Sequence, residues 1–219
     1  MTVIKLSLSK SDLHDYVLKQ LNNVFPDNFK IDNVVFDKSL DQALQRTEYC
    51  FSKVNNKYFR KENNSIFNHL NGDQYSMFLY LLSNSLYKNE CDLNICAKVF
   101  LLNKALHAID AFYEVELPSI FVFVHPLGTV LGRGNFSDYF VVYQRCNIGS
   151  NKNIYPTLGM HVTMHPGSAI LGNCNIGDNC RIAAHSLLLD KDLEPNSLYV
   201  GNPKEYFIRQ NKEENSIWL

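Results

Sequence analysis

Several things are missing from the chain, and each absence removes a class of protein. No apolar run approaches the roughly 18 residues that a membrane span requires. The opening segment, MTVIKLSLSKSDLHDY, carries Lys5, Lys10 and Asp12 where a secretion signal needs an unbroken apolar stretch, so a cytoplasmic protein is expected. There is no basic surplus. Lys and Arg number 21 against 22 Asp and Glu, a formal net charge of -1. That balance gives no electrostatic footprint for nucleic acid and no polybasic membrane anchor. The six cysteines, Cys50, Cys91, Cys96, Cys146, Cys174 and Cys180, include no CxxC pair. Neither a metal site nor a disulfide framework is read from them.

What remains is 219 residues, 46% hydrophobic and 20% charged, enough to bury a substantial core in one large domain or two small ones. Up to about residue 110 the apolar spacing is helical. Leu13, Val17, Leu21, Val24 and Phe25 form one stripe, with Ser11 as its N-cap and Pro26 as its stop. Ser39 followed by Gln42 matches a capping box opening a stripe of Leu40, Ala43, Leu44, Thr47, Phe51 and Val54. Tyr75, Phe78, Leu79 and Leu82 make a third stripe, and Ile95, Val99, Leu102, Leu106 and Ile109 a fourth. This half reads as a helical bundle whose stripes are core.

From Val124 the period changes to six. Val124, Val130, Phe136, Val142, Ile148 and Ile154 fall on it; after a slip of four residues it resumes at Leu158, Met164, Ile170, Ile176, Ile182 and Leu188. Neither a helix nor a flat strand repeats every six residues. A parallel β-helix of triangular section does, with one inward apolar residue per six-residue face stacked on its equivalent one coil along. Cys146, Ser168, Cys174, Cys180 and Ser186, four residues after inward positions, are then small fillers near the corners. Two runs of six faces imply about four coils, each of which buries its core only by stacking on the next.

This pattern resembles the hexapeptide-repeat acyltransferases, which form left-handed β-helices. A helical bundle followed by the β-helix is similar to serine O-acetyltransferase. The resemblance covers residues 90 to 207 and rests on HPLGTVLGRG (125–134), SAILGNCNIGDN (168–179) and GNPKEYF (201–207), the last in place of the usual closing Gly-x-Pro-Ala. The segments FYEVELPSIFVFVHPLGTVLG and DYFVVYQRCNIG resemble relatives among surface-polysaccharide enzymes. The fold expected is therefore α+β: an α-helical domain over 1–115, a left-handed parallel β-helix over 116–207 and a tail over 208–219. The resemblance further implies acetyl-CoA as donor, no metal, and a homotrimer or dimer of trimers with active sites between neighbouring prisms.

Moving an acetyl group from a thioester to a hydroxyl needs a base near neutral pKa, and histidine is the natural candidate. Of seven histidines, His14 and His69 read as surface residues, and His185 falls in coils that usually face CoA. His125, fixed by Pro126, is the expected catalytic base, with Asp138 or Glu114 orienting its imidazole. On the acceptor side the expected residues are His107, Glu114, Tyr139, Gln144 and His165; the last, with His161, flanks the slip. For the donor, Ser168, Ala169, Ala183 and Ala184 offer small surfaces to the pantetheine arm, and Lys204 offers a phosphate partner. The chain departs from the family twice. Asp138-Tyr139 stands where serine acetyltransferases carry an Asp-His pair, and Tyr155-Pro156 stands where they carry a second His-Pro. Both departures oppose serine as acceptor, so O-acetylation of a sugar or polysaccharide precursor for capsule or lipopolysaccharide is expected first. Serine O-acetylation, N-acetylation of an amino sugar and a non-catalytic β-helix scaffold are the alternatives.

Overall fold

The computed structural model describes residues 4–27, 30–62, 64–212 and 217–219. They form two units: Met1–His107 with Phe112–Glu114 and Leu219, and Ala108–Ala111 with Val115–Trp218.

The first unit contains α1 (Lys10–Val24), α2 (Asn33–Phe51), α3 (Gly72–Lys88) and α4 (Leu93–His107). The four stripes map onto these helices, but their starts differ from the sequence expectation. Ser9, not Ser11, caps α1, its hydroxyl accepting from the Asp12 amide at 3.1 Å. Asp32 caps α2; Ser39 lies inside that helix and donates to the Val35 carbonyl at 2.8 Å. Val24 and Leu106, assigned to stripes, are exposed. Helix α3 is buried on every side from Gln74 to Leu86. Its polar side chains are accordingly bonded: Asn84 Nδ2 donates to the Tyr113 carbonyl at 2.8 Å and Gln74 Nε2 to the Tyr58 carbonyl at 2.6 Å. A small sheet, ordered Lys5–Leu6, Asn64–Phe67, Arg60–Lys61, completes the unit. Its strands of two to four residues are too short for alternation to show in sequence.

The second unit is a parallel β-solenoid of about five coils rather than four. Its first face stacks Asp110–Ala111, Val130–Leu131, Asn147–Gly149, Ala169–Leu171 and Leu187–Leu189. Its second face stacks Phe121–Phe123, Phe140–Val142, Thr163–Met164, Arg181–Ile182 and Ser197–Asn202; Glu205–Gln210 then folds back antiparallel. The third face carries Asn135–Phe136, Thr157–Leu158 and Asn175–Ile176, with Leu193 bridging to Ile176.

Register identifies the interior columns. Leu131, Ile148, Ile170 and Leu188 align on the first face; Phe123, Val142, Met164, Ile182 and Tyr199 on the second; Phe136, Leu158 and Ile176 on the third. Nine of the twelve expected inward residues therefore point inward. Val124, Val130 and Ile154 do not: the inward neighbours are Phe123 and Leu131, Val130 is 42% exposed, and Ile154 is 48% exposed. The cause is local changes of coil length. The step from Phe123 to Leu131 is eight residues because the corner bulges at His125-Pro126. The step from Leu131 to Phe136 is five, and that from Ile148 to Leu158 is ten. The four additional residues form a tight excursion closed by the Asn151–Ile154 bridge. His161 does not border it; it sits at a regular corner.

The small fillers are buried as expected. Ser168 Oγ lies 3.6 Å from Cys146 Sγ, and the Cys146 amide donates to Thr129 Oγ1 at 3.2 Å. Burial raises the thiol pKa of Cys146, Cys174 and Cys180, which keeps them unreactive. The corners use the left-handed backbone region at successive coils. Tyr139, His161, Asn179 and Asn196 form one such column, each amide donating to a carbonyl one coil back.

Candidate active site

The corner between the second and first faces gathers five of the ten expected site residues of the solenoid: His125, Gln144, His165, Ala183 and Ala184. Leu127, Gln144 and Pro166 occupy equivalent corner places on successive coils, their carbonyls accepting from the amides of Arg145, Gly167 and His185; His125 precedes that column in the bulge, on the coil before Gln144. With about 4.8 Å between coils, this edge runs roughly 15 Å from His125 to Ala184. His125 adopts φ 48°, is exposed, and stands in the two-residue bulge that this coil alone carries at that corner among the described coils. Leu127 and Val130, also exposed, flank it. Gln144 is half-buried, and its Oε1 is buried with no hydrogen-bond partner. Such an acceptor costs about 1–3 kcal/mol until a donor reaches it. His165, next to this column, packs its ring parallel to Tyr143 at 5.6 Å. Ala183 and Ala184 present small side chains on the same edge.

Other expected residues lie elsewhere. Asp138 is at the opposite edge of the second face; in register it stands six residues from His125, on the order of 15 Å away. Its Oδ1 accepts from the Ile120 amide at 2.9 Å. Asp178, Asp190 and Asp192 repeat that coil-to-coil bond to the amides of Met160, Asn173 and Asn175. Asp138 is thus one of a set of corner-fixing aspartates and does not orient His125. Ser168 faces the prism interior, fully buried, and its hydroxyl is not offered to a donor outside. Ala169 lies on the first face, and Lys204 is exposed in the terminal hairpin turn, its amide bonded to Asn202 Oδ1 at 3.1 Å. Tyr139 stacks on His161 with centroids 4.3 Å apart and planes 7° from parallel, and Trp218 packs edge-on against it at 5.3 Å. Sequence reading gave His161 no role; the corner column that pairs it with Tyr139 emerges only once coil lengths are known.

His107 and Glu114 belong to the first unit. His107 closes α4 with Nδ1 2.9 Å from Asn103 Oδ1 and its ring edge-on to Tyr75. Burial lowers its pKa to about 4, so it is a neutral packed ring rather than a base working near neutral pH. This predicts a pH-dependent stability. Above pH 6.5 the ring is neutral folded or unfolded and contributes no slope. Between pH 6.5 and about 4 the unfolded chain takes up a proton that the folded one does not, so stability falls, by an amount on the order of 2 kcal/mol. Urea unfolding at pH 7 and pH 5 measures the loss, and His107→Gln is expected to remove most of that difference.

No family model matches this sequence. The chain is 35% identical over 91 residues to a serine acetyltransferase of Synechococcus elongatus, covering 39% of this chain and 36% of that protein. It is 33% identical over 97 residues to the serine acetyltransferase of Helicobacter pylori, covering 36% of this chain and 56% of that protein. The aligned regions thus span about a third to just over half the length of these relatives. Among solved structures, a truncated serine acetyltransferase apoenzyme superposes with a TM-score of 0.68 at 14% identity, covering 91% of this chain and 85% of that one. The chain is a hexapeptide-repeat β-solenoid protein that resembles the serine acetyltransferases, in sequence over part of its length and in fold over nine-tenths of it.

Proposed function

We propose that the chain is an acetyl-CoA-dependent O-acetyltransferase acting on a small hydroxyl acceptor, L-serine first among them. The observation that carries this reading is the partial sequence similarity, at 35% and 33% identity, to two serine acetyltransferases; a serine acetyltransferase in complex with CoA shares the fold at a TM-score of 0.59. Nothing of comparable weight supports a polysaccharide acceptor.

In this reading the acceptor hydroxyl approaches His125, whose imidazole takes the proton as oxygen attacks the thioester carbonyl. The new C–O bond forms, the C–S bond breaks, and the CoA thiolate leaves with the proton returned by the imidazolium. Gln144 Oε1, a buried acceptor on the adjacent coil, receives a hydrogen bond from the acceptor molecule when its side chain turns towards the corner. The pantetheine arm lies along the corner past Ala183 and Ala184. Exposed Leu127 and Val130 beside His125 suit cover by a second copy, in keeping with a trimer whose sites lie between prisms. His161 is a second candidate base, favoured by its stacking on Tyr139.

Thiol release from acetyl-CoA, assayed with L-serine, nucleotide sugars, oligosaccharides and amino sugars, tests the proposal. Release stimulated by serine is expected. Release only with saccharides would return the acceptor to the sugar class, and no binding of CoA would leave a scaffold.

A further inference from the structure

The strand Glu205–Gln210 ends its sheet. One edge pairs with Ser197–Asn202, and among the described residues no strand pairs with the other. It also stands furthest along the axis, since the first face ends at Leu187–Leu189 and the third at Leu193. The described residues that follow lie back along the solenoid: Asn211 donates to the Asn196 and Asn179 carbonyls, and Trp218 packs on Tyr139.

Soluble proteins blunt such an edge with proline, lysine or a bulge. This strand, EYFIRQ, has no proline or lysine, and its register against Ser197–Asn202 runs unbroken over six residue pairs. Tyr206, Phe207 and Ile208 follow one another in it, 41, 45 and 45% exposed. The ladder shows which main-chain groups reach the free edge. The Ala183 amide donates to the Tyr199 carbonyl at 2.9 Å, and the Gly201 amide donates to Ser186 Oγ at 3.0 Å. Tyr199 and Gly201 therefore turn their main-chain groups away from the terminal strand. Ile208 and Tyr206, which stand opposite them, turn theirs outward to the edge.

We infer that this edge is a self-docking surface: two copies of the chain pair it antiparallel about a twofold axis at Phe207, joining their solenoids end to end. The occupant is a second copy because the strand is complementary to itself. In that register Glu205 of each copy meets Arg209 of the other, Tyr206 meets Ile208, and Phe207 meets its own equivalent. Each Tyr206–Ile208 pair exchanges both main-chain hydrogen bonds. The Glu205–Arg209 and Phe207–Phe207 pairs are of the closer kind, which brings side chains nearest. Arg209, 4.5 Å over the Phe207 ring, is already held on the face that carries these pairs. A register shifted by one residue would mismatch the main-chain groups, and one shifted by two would lose both charge pairs.

Sedimentation velocity and oxidative crosslinking of the intact chain test this without any activity, so failure of acetyl transfer leaves it standing. The mass is expected to rise with concentration to an even number of 25.2 kDa chains. Ile208→Pro removes an amide aimed at the free edge and leaves the hairpin ladder whole; it is expected to halve that mass. Glu205→Arg and Arg209→Glu are each expected to weaken the pairing about tenfold, and the chain carrying both to regain it. Phe207→Cys puts two thiols across the axis with Cα atoms about 4.5 Å apart, so diamide is expected to link chains in pairs. Gln210→Cys, about 20 Å from its equivalent, is expected to stay unlinked. The six native cysteines are buried and give no background. A mass unaltered by Ile208→Pro, no crosslink through Phe207→Cys, or a double charge swap that restores nothing would each overturn the inference.

Discussion

Ile170→Ala is expected to lower the free energy of unfolding by about 3–4 kcal/mol, and Ile170→Asp to abolish the folded solenoid. Ile170 has no exposed surface and stands between Ile148 and Leu188 in the first-face column. Truncating it removes the contact on both sides at once, in a prism too narrow to collapse around the gap. Val130 is the informative control. A strict six-residue beat puts it in the same column, but the bulge at His125-Pro126 turns it outward and brings Leu131 in. Val130→Ala is therefore expected to change stability by no more than about 0.5 kcal/mol, and Leu131→Ala to behave like Ile170→Ala. Urea unfolding of the three variants, followed by circular dichroism, measures this. Equal losses at Val130 and Ile170 would contradict the register.

His125→Ala is expected to reduce turnover by about 10²- to 10⁴-fold while CoA binding is unchanged. A general base acts on the proton of the attacking hydroxyl, so its removal falls on the chemical step; the donor lies along other coils. The pH profile separates base from packing: the acidic limb of kcat/KM present in the parent should vanish in His125→Ala. His161→Ala provides the comparison. If the loss and the vanished limb follow His161 instead, the base stands at the Tyr139 corner.

Much of the second unit was legible because a solenoid repeats its demands. Each face needs one large apolar residue in the interior, and the prism leaves room only for small partners, so Leu158 to Leu188 and Cys146 to Ser186 can be read from spacing alone. The beat misled wherever coil length changed. A two-residue bulge at His125 and a shortened step to Phe136 cancel all but one residue. The count was restored at Phe136 while Val124 and Val130 were misplaced, and Ile154 was misplaced on the long step to Leu158. Helix caps were misread for a related reason: Ser39 has the composition of a cap, but Asp32 is seven residues earlier and the helix is already running at Ser39. The candidate site was legible only in part. Chemistry recommends histidines and carboxylates without saying which corner each occupies. Asp138 looked like a partner for His125, whereas the fold uses it, like Asp178 and Asp190, to tie one coil to the next. Gln144, its amide oxygen buried one coil from His125, became informative only through its lack of a donor.

The most direct test of acyl transfer is to follow the acetyl group itself. Acetyl-CoA carrying a carbon label in its acetyl group is incubated with L-serine and the intact chain, and the label is tracked by NMR. Transfer of label to the serine oxygen at a rate proportional to protein concentration, and lost in His125→Ala, is the result expected. Label that stays on the thioester, with serine and with every saccharide offered, would contradict the account.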